Sequence, residues 1–326
     1  MRNTTRLLQR HDQTMSQRRV LFVDADDRAL FQLRCGTRSI HSDRVEVAAD
    51  QFAPWPRVPA GTDLVVILLP RARPRLEMLL AALAADIEAP LECWVAGAGR
   101  EGIRGAARSL ARFAGDVTQR DSARHCKLYS GRLLPSGTVF RPEAFMRSCT
   151  LEDMEFMTLP GVFSHGRLDA GTALLVEALR QRPPSGRVLD LGCGSGVLSA
   201  WLASQGARVT AVDNSATALW CTRHNLEQAA VEAEVHASDG FSAVKGSFDS
   251  LCTNPPFHEG AQHNPELTRE FLRQAPTHLV PGGQLIMVAN RGLPYADVLQ
   301  DSFARVETVK ENRHFRVWRA VKGRSR

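Results

Sequence analysis

The chain has no run approaching the roughly 18 consecutive apolar residues of a membrane-spanning helix, so no helical membrane span is expected. Its first ten residues, Met1 to Arg10, lack the apolar stretch of a secretory signal. Paired-cysteine spacing is missing as well. The seven cysteines, at 35, 93, 126, 149, 193, 221 and 252, are odd in number and scattered, with no CxxC. That argues against a disulfide framework and against a cysteine-based zinc site, so no metal is expected. Reduced thiols in a cytoplasmic monomer are the expectation. The first half also lacks any glycine-rich turn after its first strand, an absence that separates the two halves.

What is present starts with size. At 326 residues and 44% hydrophobic content the chain is long enough for two cored domains. Its net charge of +6 is unevenly spread: from Arg100 to Arg147 ten Lys/Arg face four Asp/Glu, so that stretch alone carries +6. Arg100, Arg104, Arg108 and Arg112 recur every four residues, and a helix there would align them in one stripe. Such a stripe is either a solvated helix face or a track for phosphates.

Apolar runs alternate with helical periodicity along both halves, which predicts parallel α/β sheets. In the first half, strands are expected at Arg19–Val23, Asp63–Leu69 and Leu91–Gly97, with helices over 75–86 and from Arg100. In the second, strands are expected at 187–190, 208–212, 234–237, 248–253 and 283–289. Helices follow through Ser204, over 215–228 with Ser215 as N-cap, over 265–278 and over 295–303. A hairpin of 305–309 and 315–321 closes the chain. The halves read as duplicates, with Leu69-Pro70 roughly where the second half has Asn254-Pro255. The boundary falls in 134–160, where Pro and Gly recur, giving domains 1–150 and 151–326.

Two motifs carry chemistry. Val188-Leu-Asp-Leu-Gly-Cys-Gly-Ser-Gly196 is a strand running into a glycine-rich turn and a helix. Gly192, Gly194 and Gly196 let the backbone turn sharply and approach a ligand. Nicotinamide and flavin folds use similar turns, but Asp190 before the first glycine would repel a pyrophosphate. It suits the ammonium of a methionine moiety, held directly or through water. Asp213, 23 positions further on, ends the next strand and is placed for ribose hydroxyls, with Asn214 beside it. Asp239-Gly240 ends the third strand and could meet an adenine amino group. These features favour S-adenosylmethionine, with S-adenosylhomocysteine as product. The second motif, Asn254-Pro-Pro-Phe257, suits a planar NH2 acceptor whose lone pair is delocalised. The Asn254 amide oxygen and the Pro255 carbonyl can accept its N–H groups, and Phe257 can stack on the base. A base within a helix would have to be extruded.

Asp190-Leu-Gly-Cys-Gly-Ser-Gly196 with Asn254-Pro-Pro-Phe257 resembles the class I S-adenosylmethionine-dependent methyltransferases that modify amino groups. Phe163-Ser-His-Gly-Arg-Leu-Asp-Ala-Gly-Thr172 is similar to the leading segment of the bacterial ribosomal RNA guanine-N2 methyltransferases. Asn254 to Gly260, Val288 to Tyr295, Asp121 to Tyr129 and Arg100 to Arg104 narrow the resemblance to the ribosomal RNA small-subunit methyltransferase C family. It covers nearly the whole chain and is strongest in the second half. It implies two tandem Rossmann-like domains with seven-stranded sheets ending in an antiparallel hairpin. The first is degenerate, without cofactor and left with a structural or RNA-binding job. It further implies methylation of the exocyclic N2 of one 16S rRNA guanine, position 1207, in the 30S subunit. By position, Asp190, Gly192, Gly194, Asp213 and Asp239 would bind the cofactor, and Asn254, Pro255 and Phe257 the guanine. Two departures stand out: His165 replaces the family's Arg, and Asp239 its Asn.

Other readings stay open. A large-subunit rRNA enzyme or a glutamine-N5 methyltransferase would share the chemistry; the latter usually carries Tyr at the place of Phe257 and lacks a degenerate copy. A non-catalytic assembly factor with a retained cofactor site is the alternative of another class. Asp169 and Thr172 either shape the cofactor pocket or cap the helix starting near Gly171. His258 is structural or touches substrate, and Cys193 and Cys252 are core residues.

Overall fold

A computed structural model describes residues 1–255 and 265–324. They fall into two compact units, 1–146 with 159–161, and 147–158 with 162–326. Among the described residues no helix is long and apolar enough to cross a membrane.

The first unit opens with two short helices, α1 (Asn3–Gln9) and α2 (Asp12–Met15). Its sheet holds β1 (Arg19–Val23), β2 (Thr37–Ser42), β3 (Gln51–Phe52), β4 (Leu64–Leu68), β5 (Leu91–Ala98), β6 (Ala114–Ala123) and β7 (Cys126–Leu133). The order is β3-β2-β1-β4-β5-β7-β6, parallel except for β7, which runs antiparallel to both β5 and β6. Helices α3 (Arg73–Asp86) and α4 (Ile103–Leu110) cover one face, packing Leu76, Leu80 and Leu110 on Leu21, Val65 and Val95. Leu7 and Leu8 of α1 cover the other, over Phe22, Val66 and Trp94.

The second unit begins with a hairpin, β8 (Arg147–Leu151) and β9 (Met154–Thr158), and then α5 (Ala170–Leu179). Its sheet comprises β10 (Arg187–Leu191), β11 (Arg208–Asp213), β12 (Ala233–Ala237), β13 (Phe248–Thr253), β14 (Leu279–Asn290), β15 (Arg305–Glu311) and β16 (Phe315–Val321). The helices between are α6 (Val197–Ser204), α7 (Ala216–Gln228), α8 (Pro265–Gln274) and α9 (Ala296–Ser302). The order β12-β11-β10-β13-β14-β16-β15 repeats that of the first sheet, with β16 antiparallel to its neighbours. Alternation along each strand feeds two cores. Val188, Cys252 and Ile286 face Leu175, Trp201 and Leu226 on one side. Leu189, Leu251 and Leu285 face Leu272, Leu299 and Phe303 on the other. Each such side chain contributes roughly 1.5–3 kcal/mol by leaving water.

Duplication shows in detail. Asp63 and Asp249 sit at matching places, and each carboxylate accepts the backbone N–H of the residue opening the central strand, Arg19 or Arg187, at 2.8 Å. Strand register puts Leu68 opposite the role of Asn254 and Leu69 opposite Pro255, one residue earlier than the sequence alignment of the prolines. The expected helix over 265–278 ends at Gln274. The rest is a 3-10 turn holding Pro276, which has no N–H to continue the α pattern.

The arginine stripe is a second difference. Helix α4 starts only at Ile103, because Gly102 adopts a left-handed conformation (φ +84°) that separates it from the short 3-10 turn Gly99–Glu101. The helix therefore carries Arg104 and Arg108 alone. Arg100 precedes the break, and Arg112 lies beyond the last turn, 2.8 Å from Glu77 Oε2. All four are exposed.

Candidate functional site

Strands β10, β11, β12 and β13 are parallel, so their C-terminal ends share one edge. Between β10 and β13 the chain order reverses, which opens a crevice at that edge. The residues singled out by sequence converge there: Gly192–Gly196 after β10, Asp213-Asn214 at the end of β11, Asp239-Gly240 beyond β12 and Asn254-Pro255 beyond β13. Thr253 Oγ1 donates to Leu191 O at 2.7 Å and fixes the ends of β10 and β13 together.

The glycine turn is held from below and behind. Gly192 and Cys193 donate to Val212 O at 2.8 and 3.0 Å, and Gly194 N–H donates to Asp213 Oδ2 at 2.9 Å. All three glycines have positive φ, +73°, +56° and +80° for 192, 194 and 196. Two of them are needed for different reasons. A Cβ on Gly194 would meet nothing within 4 Å, so that face is open for a ligand. A Cβ on Gly196 would lie 2.9 Å from Thr222 Cα, inside the packing of α6 on α7.

Asp190 lies beneath the turn, 1% exposed, and its Oδ2 accepts Ser199 Oγ at 2.5 Å. Burial first, then the nearby Asp213 carboxylate, raises its pKa to about 7 against the lowering pull of the Ser199 hydrogen bonds. It is sealed under the loop rather than set on its surface. Asp213 is bound by Gly194 N–H on one oxygen and by Ser215 N–H on the other, at 2.9 Å each. Each carboxylate oxygen has a second lone pair, so hydroxyls could still be accepted. Ser215 caps α7 as expected, its Oγ accepting Ala218 N–H at 3.1 Å. Asp239 is exposed, and Gly240 (φ +55°) leaves open space where a Cβ would stand. An open glycine face, the half-buried Asp213, the exposed Asp239 and a helix N-terminus that can receive a carboxylate fit a hydroxyl-bearing nucleoside cofactor with an amino-acid tail.

Asn254 is half-buried. Its Nδ2 donates to Asp169 Oδ2 at 2.7 Å and to Thr172 Oγ1 at 2.9 Å. Asp169 also caps α5, accepting Thr172 N–H at 2.8 Å, so capping and contact with the site coexist in one carboxylate. Phe257 and His258 lie outside the described residues. His165 Nδ1 is 3.0 Å from Thr158 Oγ1, and burial, then Arg147, lowers its pKa. Cys193 and Cys252 are buried, and burial pushes both thiols up.

Two residues of α7 escaped sequence reasoning. Thr222 Oγ1 donates to Gly194 O at 3.0 Å, and Asn225 Nδ2 donates to Ser195 O at 2.8 Å. Asn225 also exchanges two 2.8 Å bonds with the backbone of Met157. The available signal was a pair of polar residues three apart on a helix face that is otherwise apolar. A depression of about 770 Å³ lined by Arg187, Arg208 and Arg223 lies at the opposite strand ends and takes no part in this edge.

The equivalent edge of the first unit is filled by its own side chains. Asp24 (φ +56°) follows β1 where Gly192 follows β10. Its Oδ1 accepts Arg75 Nε at 3.0 Å and Nη2 at 2.7 Å, with Asp43 Oδ1 3.5 Å from the same Nη2. Arg75 is 4% exposed. His41 is fully buried. Its Nδ1 accepts Asp24 N–H and its Nε2 donates to Ala53 O; burial lowers its pKa to about 4, so it stays neutral. No glycine face remains at that place.

Comparison with known proteins agrees with this geometry. The family model "Methyltransferase small domain" matches residues 153–319, and "Methyltransferase small domain N-terminal" matches 5–149. A ribosomal RNA small subunit methyltransferase C of Alcanivorax borkumensis is 44% identical over 98% of this chain and 99% of its own length. The protein of that name from Escherichia coli strain K12 is 36% identical over 97% and 95%. A solved structure of the T. thermophilus 16S rRNA N2 G1207 methyltransferase, in complex with AdoMet and guanosine, superposes with a TM-score of 0.84 at 25% identity, covering 98% of this chain and 92% of that one. With a doubled sheet, one working edge and relatives aligned from end to end, the chain belongs to the ribosomal RNA small subunit methyltransferase C family.

Proposed function

We propose that the second unit transfers the methyl group of S-adenosylmethionine to the exocyclic N2 of one 16S rRNA guanine, at position 1207, presented by the 30S subunit in the cytoplasm. The observation that carries this is the adjacency of Asn254-Pro255 to the glycine turn, on neighbouring strands paired through Asp190 and Cys252. The T. thermophilus relative holds AdoMet and guanosine, which supports the same pair of ligands here.

S-adenosylmethionine supplies an electrophilic methyl group. Gly192, Gly194 and Gly196 cradle it, with Asp213 and Asn214 at the ribose and Asp239-Gly240 at the adenine. Asp190 supports the turn from beneath, its carboxyl held by the Ser199 hydroxyl. The Asn254 amide oxygen and the Pro255 carbonyl accept the guanine N–H groups. They turn the nitrogen lone pair to the methyl and stabilise the positive charge that develops on nitrogen. Phe257 stacks on the extruded base. The first unit, its own edge filled by Arg75, contributes RNA contact through the exposed Arg104 and Arg108, with Arg100 and Arg112 flanking.

The test is methyl transfer from labelled S-adenosylmethionine to unmodified 30S subunits, 50S subunits and naked 16S rRNA, with products resolved by nucleoside mass spectrometry. N2-methylguanosine on 30S alone is the expected outcome. Label only on 50S or on protein would refute the assignment.

A further inference from the structure

The Asn254 side chain is useful to an NH2 acceptor in only one of its two amide orientations. Its oxygen must face the substrate; its nitrogen would repel the amine's own N–H groups. The backbone of β13 does not choose between the two. Asp169 does. A carboxylate offers acceptors only, and Asp169 Oδ2 stands 2.7 Å from Nδ2. The reversed amide would press two acceptor oxygens together at that distance. Thr172 Oγ1, 2.9 Å from the same nitrogen, takes the second N–H. Both amide hydrogens are thus consumed within the protein, and Oδ1 is the atom left for substrate.

The carboxylate is itself immobilised. It caps α5 through Thr172 N–H at 2.8 Å, and Ala173 N–H donates to Asp169 O at 2.9 Å. Gly171 leaves room for the bond: a Cβ there would lie 2.9 Å from Asp169 Oδ2 and 3.4 Å from Asn254 Nδ2. A charged acceptor on the N–H side also polarises the amide and enriches its oxygen in electron density.

We propose that Asp169 is a positioning residue for methyl transfer: it fixes the orientation of the Asn254 amide and raises the accepting power of its oxygen, with Thr172 as second partner and Gly171 as the space that permits both. This rests on the functional reading above, in which Asn254 receives the guanine amine.

The experiment is a double-mutant cycle read by single-turnover methyl transfer to unmodified 30S subunits, with S-adenosylmethionine affinity measured calorimetrically on each variant. Asp169→Ser retains a helix cap but is too short to reach Asn254. It should lower the transfer rate on the order of 10- to 100-fold and leave cofactor affinity within about twofold. In an Asn254→Ala background the same change should cost nothing further, because its intermediary is gone. Asp169→Asn, which keeps an oxygen for both N–H donors, should recover most of the rate. Thr172→Val, which leaves the cap acceptor intact, should lower the rate less and also only when Asn254 is present; it carries the test if Asp169→Ser fails to fold. A rate within twofold of wild type for Asp169→Ser, or a loss that multiplies with that of Asn254→Ala, overturns the proposal. Wild-type protein yielding no N2-methylguanosine would overturn the functional reading, and the proposal with it.

Discussion

Gly194 and Gly196 stand two residues apart in one turn, both with positive φ, yet replacing each by alanine should fail in different ways. For Gly194→Ala the left-handed backbone costs about 1–2 kcal/mol, and loss of unfolded-chain freedom returns about 0.4–1 kcal/mol. With no atom within 4 Å of the new Cβ, the net loss of stability should be below about 1.5 kcal/mol. The methyl group would instead occupy the open face of the turn, so S-adenosylmethionine affinity should fall at least tenfold. Gly196→Ala carries the same backbone cost and adds a Cβ 2.9 Å from Thr222 Cα and Cγ2. A helix backbone cannot step aside as a side-chain tip can, and overpacking of this kind costs roughly 1–3 kcal/mol more. Its total should be about 2–4 kcal/mol. Urea denaturation of the second unit, paired with calorimetric titration of S-adenosylmethionine, separates the two. Equal destabilisation by both changes, or Gly194→Ala with undiminished cofactor affinity, would refute the division of labour.

Three further outcomes are expected. Arg75→Met removes the buried cation beside Asp24 and Asp43, whose side chains are 14% and 13% exposed, which should destabilise the first unit by up to about 3 kcal/mol in chemical denaturation; adding Asp24→Asn and Asp43→Asn should restore most of it, and a loss below about 1 kcal/mol would contradict the filled-edge account. Asp190 has its pKa raised from 3.8 to about 7, so the folded state holds its proton more tightly than the unfolded chain. Its contribution to stability should fall as pH rises from about 4 to about 7, up to about 4 kcal/mol in total, and the difference in unfolding free energy between wild type and Asp190→Asn should change with pH across that range and level off below it. Reversing Arg104 and Arg108 to Glu should weaken RNA binding and flatten its salt dependence while sparing cofactor affinity, as measured by filter binding across a salt series; unchanged RNA affinity would remove α4 from the RNA surface.

Much of this was legible in the residues. The central strands of both sheets are short apolar runs ended by Asp, Gly or Pro, and most emerge within a residue or two, whereas β14 begins at Leu279, four residues before the expected 283. Gly192–Gly196, Asp213 and Asn254 announce themselves because glycines, acids and a proline-flanked amide terminate those runs. What stayed hidden has physical causes. The β6–β7 hairpin is polar along an edge strand, and its turn uses Arg124 and His125 in left-handed conformation instead of the glycine or asparagine that signals such turns. The β8–β9 hairpin turns at Glu152 (φ +53°) for the same reason. The stripe of four arginines obeys helical spacing, but Gly102 breaks the helix inside it, between Arg100 and Arg104. The sequence does not show that the pleat alternating Val188, Leu189 and Asp190 turns the Asp190 side chain under the loop, to Ser199. The tie between Asp169 and Asn254 joins residues 85 apart in sequence, and no local pattern reveals such a pair.

The central claim is that Asn254 acts on the acceptor amine and leaves the cofactor alone. Its most direct test is Asn254→Ala assayed on unmodified 30S subunits by quantitative nucleoside mass spectrometry, beside a calorimetric titration with S-adenosylmethionine. N2-methylguanosine formation slowed by about 10²–10³-fold, with cofactor affinity unchanged, is the predicted result. Product formed at the wild-type rate, or a loss explained wholly by weakened cofactor binding, would contradict it.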